Sequence, residues 1–109
     1  MSAVTPIGRL RHRVTLQQPV DADDGSGGTT RTWSDVATLW ARIEPLSADE
    51  RVAAGRIEAA ADHRIVIRWR AGVTAAMRFS FGTRVFEIRG VTDRDERHRF
   101  LDCLCEETP

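Results

Sequence analysis

Three histidines and two cysteines are the side chains of this 109-residue chain that bind transition metals most readily: His12, His63, His98, Cys103 and Cys105. Structural zinc sites pair cysteines about two to four residues apart and histidines about three to five residues apart. The two cysteines are separated by a single residue, and no two histidines have that spacing. We therefore expect no metal site and no other cofactor, with both cysteines reduced and packed in a core.

An acidic, glycine-rich segment beginning at Asp21 invites comparison with a calcium-binding loop. Such a loop needs oxygen ligands at positions 1, 3 and 5, glycine at position 6 and glutamate at position 12. Counted from Asp21, the fifth residue is Gly25 and the twelfth is Thr32. The pattern does not fit, and the composition instead predicts a long, flexible, solvated loop over residues 20–31.

Nucleophilic and phosphate-binding motifs are missing from the sequence. There is no G-x-S-x-G motif, and the glycines at 25, 27 and 28 are not followed by the lysine of a phosphate-binding loop. We therefore expect that the chain is not an enzyme.

Composition limits the remaining classes of protein. The chain is 41% hydrophobic and 29% charged, which is typical of one globular domain spanning residues 1–109. No apolar run approaches the roughly 18 residues of a membrane span. Residues 1–8 do not resemble a signal peptide, so we expect a cytosolic chain. Sixteen basic residues, all arginine, balance sixteen acidic ones, whereas a nucleic-acid-binding domain usually has a basic excess.

Six segments alternate apolar and polar residues with the period of a β-strand. They are Leu10–Gln17, Thr38–Glu44, His63–Arg70, Met77–Phe81, Val85–Gly90 and Phe100–Cys105. Pro19 and Pro45 are expected to end the first two strands, and Gly82-Thr83 predicts a hairpin. The phase of the alternation turns His12, His63 and Trp69 inward, with a core of Val14, Leu16, Leu39, Ile43, Ile65, Ile67, Phe86, Ile88, Leu101 and Cys103.

One short helix is predicted after the second strand. Ser47 and Glu50 have the spacing of a capping box, in which each side chain bonds the backbone amide of the other residue. The helix should carry Val52, Ala53 and Ile57, while residues 59–61 fit either a helix or the lead into a strand. The predicted fold class is mainly β: a small antiparallel barrel or sandwich of about six strands, with the helix and the flexible loop.

Charged residues dominate the outward strand faces. We single out as a candidate subunit interface Arg11, Arg13, Arg68, Arg70 and Arg78, with Glu44 and Glu87. Arginine–carboxylate pairs have a defined geometry that can fix the register between subunits. The alternative is an ordinary solvated face.

The order of motifs resembles the head–tail joining proteins of tailed bacteriophages, also called head-closure or stopper proteins. The resemblance covers Ile7 to Glu106 and rests on the following segments: the opening Ile7–Gln17; the glycine-rich loop Gly25–Gly28 with Trp33; Trp40–Leu46; Glu50; His63–Arg70; Met77-Arg78; Phe86–Ile88; and Asp93–Arg97. Trp69 and Phe86 stand where tyrosine is common in that family.

The resemblance implies a structural β-barrel protein that assembles in the host cytoplasm into a ring of six or twelve copies at the neck of a phage, prophage or phage-like particle. Its partners would be portal or adaptor proteins, the tail terminator or tail tube, and packaged DNA, contacted non-specifically in a channel that the ring closes. Two alternatives remain: a host adaptor module, and a nucleic-acid-binding barrel of the OB type, which needs exposed aromatics over a basic groove.

Within that reading, the loop is the candidate contact with the channel or with a partner. Its relevant residues are Asp21, Asp23, Asp24, Gly25, Gly27 and Gly28. Acids lining a channel would repel DNA phosphates, whereas acids at a subunit or partner contact would pair with arginines. We expect the second arrangement, with the loop ordering on assembly.

Overall fold

The alternating segments form the strands of one closed sheet in the computed structural model, which describes residues 10–53 and 60–109. The elements are β1 (His12–Asp23), β2 (Thr29–Pro45), α1 (Ala48–Ala53), β3 (His63–Arg68), β4 (Arg78–Phe81), β5 (Arg84–Asp93) and β6 (Phe100–Thr108), with a short 3-10 helix over Arg94–Glu96. Every strand pair is antiparallel. The order β1-β2-β3-β6-β5-β4 closes into a barrel, which confirms the predicted fold class.

The interior of the barrel is filled by the apolar phase of the strands. Of the ten predicted core residues, eight are buried, while Leu39 and Ile43 are half-buried and pack against the same cluster. Phe79 is fully buried with them. The alternating sequence pattern predicted these interior residues correctly because successive side chains of a barrel strand point alternately into the core and out to solvent.

Two residues depart from the predicted phase of β3. Trp69 was expected to face inward, but it is 37% exposed. The strand ends at Arg68, so strand alternation no longer determines the direction of the next side chain. Val66 belongs to the outward phase and is nevertheless fully buried. It is not part of the cluster that fills the barrel's interior.

The predicted capping box forms at the start of α1. The backbone amide of Glu50 donates to Ser47 Oγ at 3.2 Å, and the amide of Ser47 donates to Glu50 Oε1 at 3.1 Å. Ala60 and Ala61 lie in the connection to β3, outside the helix. Ile57 and Ala59, the other residues of that prediction, lie outside the described residues.

The Glu50 carboxylate of the capping box should make the stability of the fold depend on pH. The Ser47 amide, together with Arg64 and the Ser47 hydroxyl, lowers the pKa of Glu50 from 4.5 to about 2. Since the folded-state pKa is the lower one, the stabilisation is complete above about pH 4.5 and is lost as pH falls toward 2. Glu50→Gln should therefore be less stable than the parent at pH 7, with the difference vanishing near pH 2 in urea titrations. A difference that is constant with pH would contradict this assignment.

The long loop predicted over residues 20–31 is instead mostly β-hairpin. β1 continues through Pro19 to Asp23, and β2 begins at Thr29, so the connecting turn spans only residues 24–28. Pro19 was expected to end β1, but it pairs with Trp33. β1 contacts β4 only over residues 15–17, and a proline is tolerated where a strand has a free edge. The register shifts at Leu16/Gln17, where the hairpin leaves the barrel.

Candidate functional site

The hairpin extends well beyond the barrel, and we call its residues 18–34 the hairpin arm. The described chain measures 56 × 28 × 26 Å, which reflects this projection. Side chains of residues 20–32 are all exposed, and Val20 remains 43% exposed. The arm thus exposes its side chains to solvent while its backbone is held by strand pairing.

The turn at the end of the arm is organised by two carboxylates. Asp24 Oδ1 accepts hydrogen bonds from the amides of Ser26 at 2.8 Å and Gly28 at 3.1 Å. Asp23 Oδ1 accepts from the amide of Gly25 at 3.0 Å. Each ionised carboxylate has further acceptor positions, so both can still bind a cation from outside the turn.

Glycine and an ion pair complete this acidic tip, by which we mean residues 21–28. Gly25 and Gly27 have φ of +81° and +85°, the left-handed region in which a side chain is strained. Arg31 donates to both oxygens of Asp21, at 2.8 and 3.2 Å, and this hydrogen bonding lowers the pKa of Asp21. The predicted loop residues therefore lie in one tight turn and at the end of the strand that leads into it.

The root of the arm is fastened to β4 by one of the predicted interface arginines. The Arg78 guanidinium carbon lies 4.1 Å from the centre of the Trp33 ring, and Arg78 Nε donates to Gln17 Oε1 at 2.8 Å. Gln17 in turn donates to Asp35 Oδ1 at 2.9 Å. Arg78 is half-buried and supports the arm within the same chain.

The two predicted interface glutamates have arginine partners within the chain. Glu44 accepts from Arg42 at 2.9 Å and from Arg64 at 3.0 Å. Glu87 lies 3.2 Å from Arg89. Such pairs between neighbouring positions on a sheet stabilise the barrel's outer face modestly. Their role at a subunit interface stays a prediction.

Three other predicted interface arginines surround an exposed tryptophan. Leu10, Arg11, Trp40 and Arg68 line a cavity of about 520 Å³, which we call the Trp40 groove. Trp40 is 50% exposed, and the Arg13 guanidinium carbon stands 4.7 Å from the centre of its ring. Cross-strand pairing of Arg13 with Trp40 produces this contact. The sequence pattern placed Trp40 outward but did not single it out as a site residue.

A second cavity, of about 440 Å³, adjoins the Trp40 groove through Arg68. Its other lining residues are Trp69, His98, Arg99 and Phe100. Trp69 stacks on His98 with ring centres 4.5 Å apart. The remaining predicted interface arginine, Arg70, is half-buried beyond the end of β3. Three of the predicted arginines, Arg11, Arg13 and Arg68, thus gather around Trp40, while Arg78 contacts Trp33 at the root of the arm.

His63 and the two cysteines, which were considered as metal ligands, pack within the barrel structure. His63 Nδ1 lies 2.7 Å from Asp62 Oδ1, and the His63 ring meets Phe86 edge-on. Cys103 and Cys105 are fully buried and free. Burial raises the pKa of the Cys103 thiol to about 12 and that of Cys105 well above its ordinary value. Neither thiol is therefore an activated nucleophile at neutral pH.

Among the described residues, no helix has both the length and the apolar character needed to cross a bilayer.

Comparisons with known proteins agree with the architecture of the described residues. Residues 5–108 match the phage head completion protein family. The fold is similar to the solution structure of protein SF1141 from Shigella flexneri 2a, with 34% identity, a TM-score of 0.75, and coverage of 94% of this chain and 96% of that one. No curated protein sequence matches the chain.

A chain in the virion of a native gene transfer agent particle is also similar. It is 33% identical, with a TM-score of 0.62, and the alignment covers 90% of this chain and 94% of that one. The family match extends over nearly the whole sequence, which confirms the resemblance found in the motifs. The chain therefore belongs to the phage head completion protein family and is a structural head–tail protein of the phage type.

Proposed function

We propose that this protein forms a homo-oligomeric ring at the neck of a phage or phage-like particle, between the portal or adaptor and the tail. The ring holds packaged DNA in the head and provides the surface on which the tail docks. This role is steric and requires no catalytic group. Family membership and the likeness to a chain of a gene transfer agent virion support the location.

The hairpin arm is the observation that carries this proposal. A closed barrel has no free sheet edge along its wall, so copies of the barrel associate through side chains or through parts that project from it. The arm projects, its residues 20–32 are exposed, and its tip is acidic. Arms extending from a ring of rigid barrels can bridge neighbouring copies, where their carboxylates would pair with arginines rather than face the DNA.

The proposed location is tested by removing the gene and reconstructing the neck. Particles made without the protein should have heads that lose their DNA and carry no tails, and a plasmid copy should restore both properties. A reconstruction of the complemented particle should show several copies arranged around the neck axis. Finding one copy, or none, would overturn the proposal.

A further inference from the structure

We propose that the acidic tip of one copy docks into the Trp40 groove of the neighbouring copy, so that each arm latches onto the next barrel. This inference rests on the proposed ring and names the contact that would build it. The tip contributes Asp21, Asp23 and Asp24, and the groove contributes Arg11, Trp40 and Arg68.

Charge complementarity is the first argument. Two arginines line the groove, a third lies against its tryptophan, and no carboxylate stands among the described residues that line it. The tip carries three carboxylates within four positions. Arg31 already pairs with Asp21, whereas Asp23 and Asp24 bond only backbone amides in the structure described. Their remaining acceptor positions match guanidinium donors, which bind carboxylates in a fixed geometry.

Exposed apolar surface on both partners is the second argument. Trp40 is 50% exposed in the groove, and Val20, next to the tip, is 43% exposed on the arm. Tryptophan and arginine are the residues most enriched among the energetic centres of protein interfaces. Docking that places Val20 against the Trp40 ring removes both apolar surfaces from water while the carboxylates of the tip meet the surrounding arginines.

The third argument is that the tip cannot reach the groove of its own chain. Trp40 and Thr29 belong to the same continuous strand, β2, so folding the tip back would break the pairing of β1 with β2. Beyond Gln17, six residues of β1 extend for roughly 20 Å at about 3.3 Å each. Docking of this tip into this groove can therefore occur only between two copies. Because tip and groove are different surfaces, the contact is head-to-tail, which generates a ring when the rotation closes.

Site-directed cross-linking in assembled particles tests the contact. The native cysteines are fully buried, so two introduced thiols at exposed positions are modified selectively. Ser26→Cys in the tip is combined with Thr38→Cys, on the same strand face as Trp40. A short bifunctional maleimide should then yield a ladder of covalent oligomers. Ser26→Cys with Thr83→Cys, at the exposed β4–β5 turn, is the matched control and should yield no ladder.

Charge reversal provides the second readout. Arg68→Glu should reduce the ladder by about tenfold, and adding Asp23→Arg should restore most of it, because the pair is inverted rather than removed. A ladder that is absent, or that appears equally in the Thr83 control, would overturn the latch. So would an Arg68→Glu variant that binds DNA less tightly and cross-links normally, which would assign the groove to nucleic acid.

In each of these cases a ring seen at the neck leaves the proposed function standing, whereas absence of the protein from the neck overturns the function itself.

Discussion

Truncating Ile67 to alanine should destabilise the barrel by about 2–5 kcal/mol, the cost typical of a buried aliphatic side chain that leaves a cavity. Ile67 is fully buried in the interior cluster, on a strand that pairs with β2 on one side and β6 on the other. A domain of this size usually has only about 5–15 kcal/mol of total stability, so the loss is a large share of it. The melting temperature should fall by roughly 10 °C or more.

Val36→Ala is the matched control for this truncation. Val36 is a β-branched residue in the neighbouring strand but is 39% exposed, so its truncation should change the midpoint of urea unfolding little. Unfolding curves of the two variants, followed by tryptophan fluorescence, measure both effects. If Ile67→Ala unfolded at the same urea concentration as the parent, the interior phase assigned to β3 would be wrong.

Replacing the acidic tip should abolish particle function while leaving the protein folded. Substituting Asn-Gly for residues 23–29 joins Ala22 and Thr30, which face each other in the hairpin, through the two-residue turn that such strands favour. The barrel core lies elsewhere, so the unfolding midpoint of the purified protein should remain close to that of the parent. DNA retention or tail attachment should be nearly lost, because the proposed contact with the neighbouring copy is made through the tip.

The matched control changes the other tight hairpin turn. Gly82→Asn with Thr83→Gly places the same Asn-Gly turn between β4 and β5, where residue 82 already has φ of +61°. Counts of DNA-filled, tailed particles by electron microscopy compare the two. If the tip replacement gave as many complete particles as this control, the arm would be a passive extension of the barrel.

The barrel strands could be predicted from the sequence because their pattern is set by residues that are adjacent in the chain. Val14 and Leu16, like Ile65 and Ile67, alternate with polar neighbours, and burial of one strand face requires that pattern. The capping box at Ser47 was equally local, since two side chains three residues apart make both hydrogen bonds.

The arm could not be predicted in the same way. Its strands have no buried face, so residues 20–32 lack the alternation that identifies a strand, and Pro19 reads as a strand end. The pairing of Val20 with Thr32 comes from the register of the preceding hairpin. Predicting the tip as a docking element depended on composition alone, and that role stays a prediction.

The partners of the surface charges also depended on distant contacts. The sequence placed Glu44 and Glu87 opposite arginines of another subunit, yet Arg64 reaches Glu44 only because β2 and β3 are adjacent. The Trp40 groove likewise needs three strands side by side. The relevant signal, an outward-phase tryptophan between arginine-bearing strands, is visible in the sequence only once the strand order is known.

The hairpin arm is attached to the barrel at one place, its root, about which it can bend. The register shift at Leu16/Gln17 is a point where a strand bends most easily, and it lies where Arg78 joins the arm to β4 through Trp33 and Gln17. A force applied at the tip therefore produces a torque about this one point, some six residues away. The contact of the Arg78 guanidinium with the Trp33 ring links this root to β4. In the proposed ring, a load on the tip would thus reach the barrel wall through β4 as well as through β1.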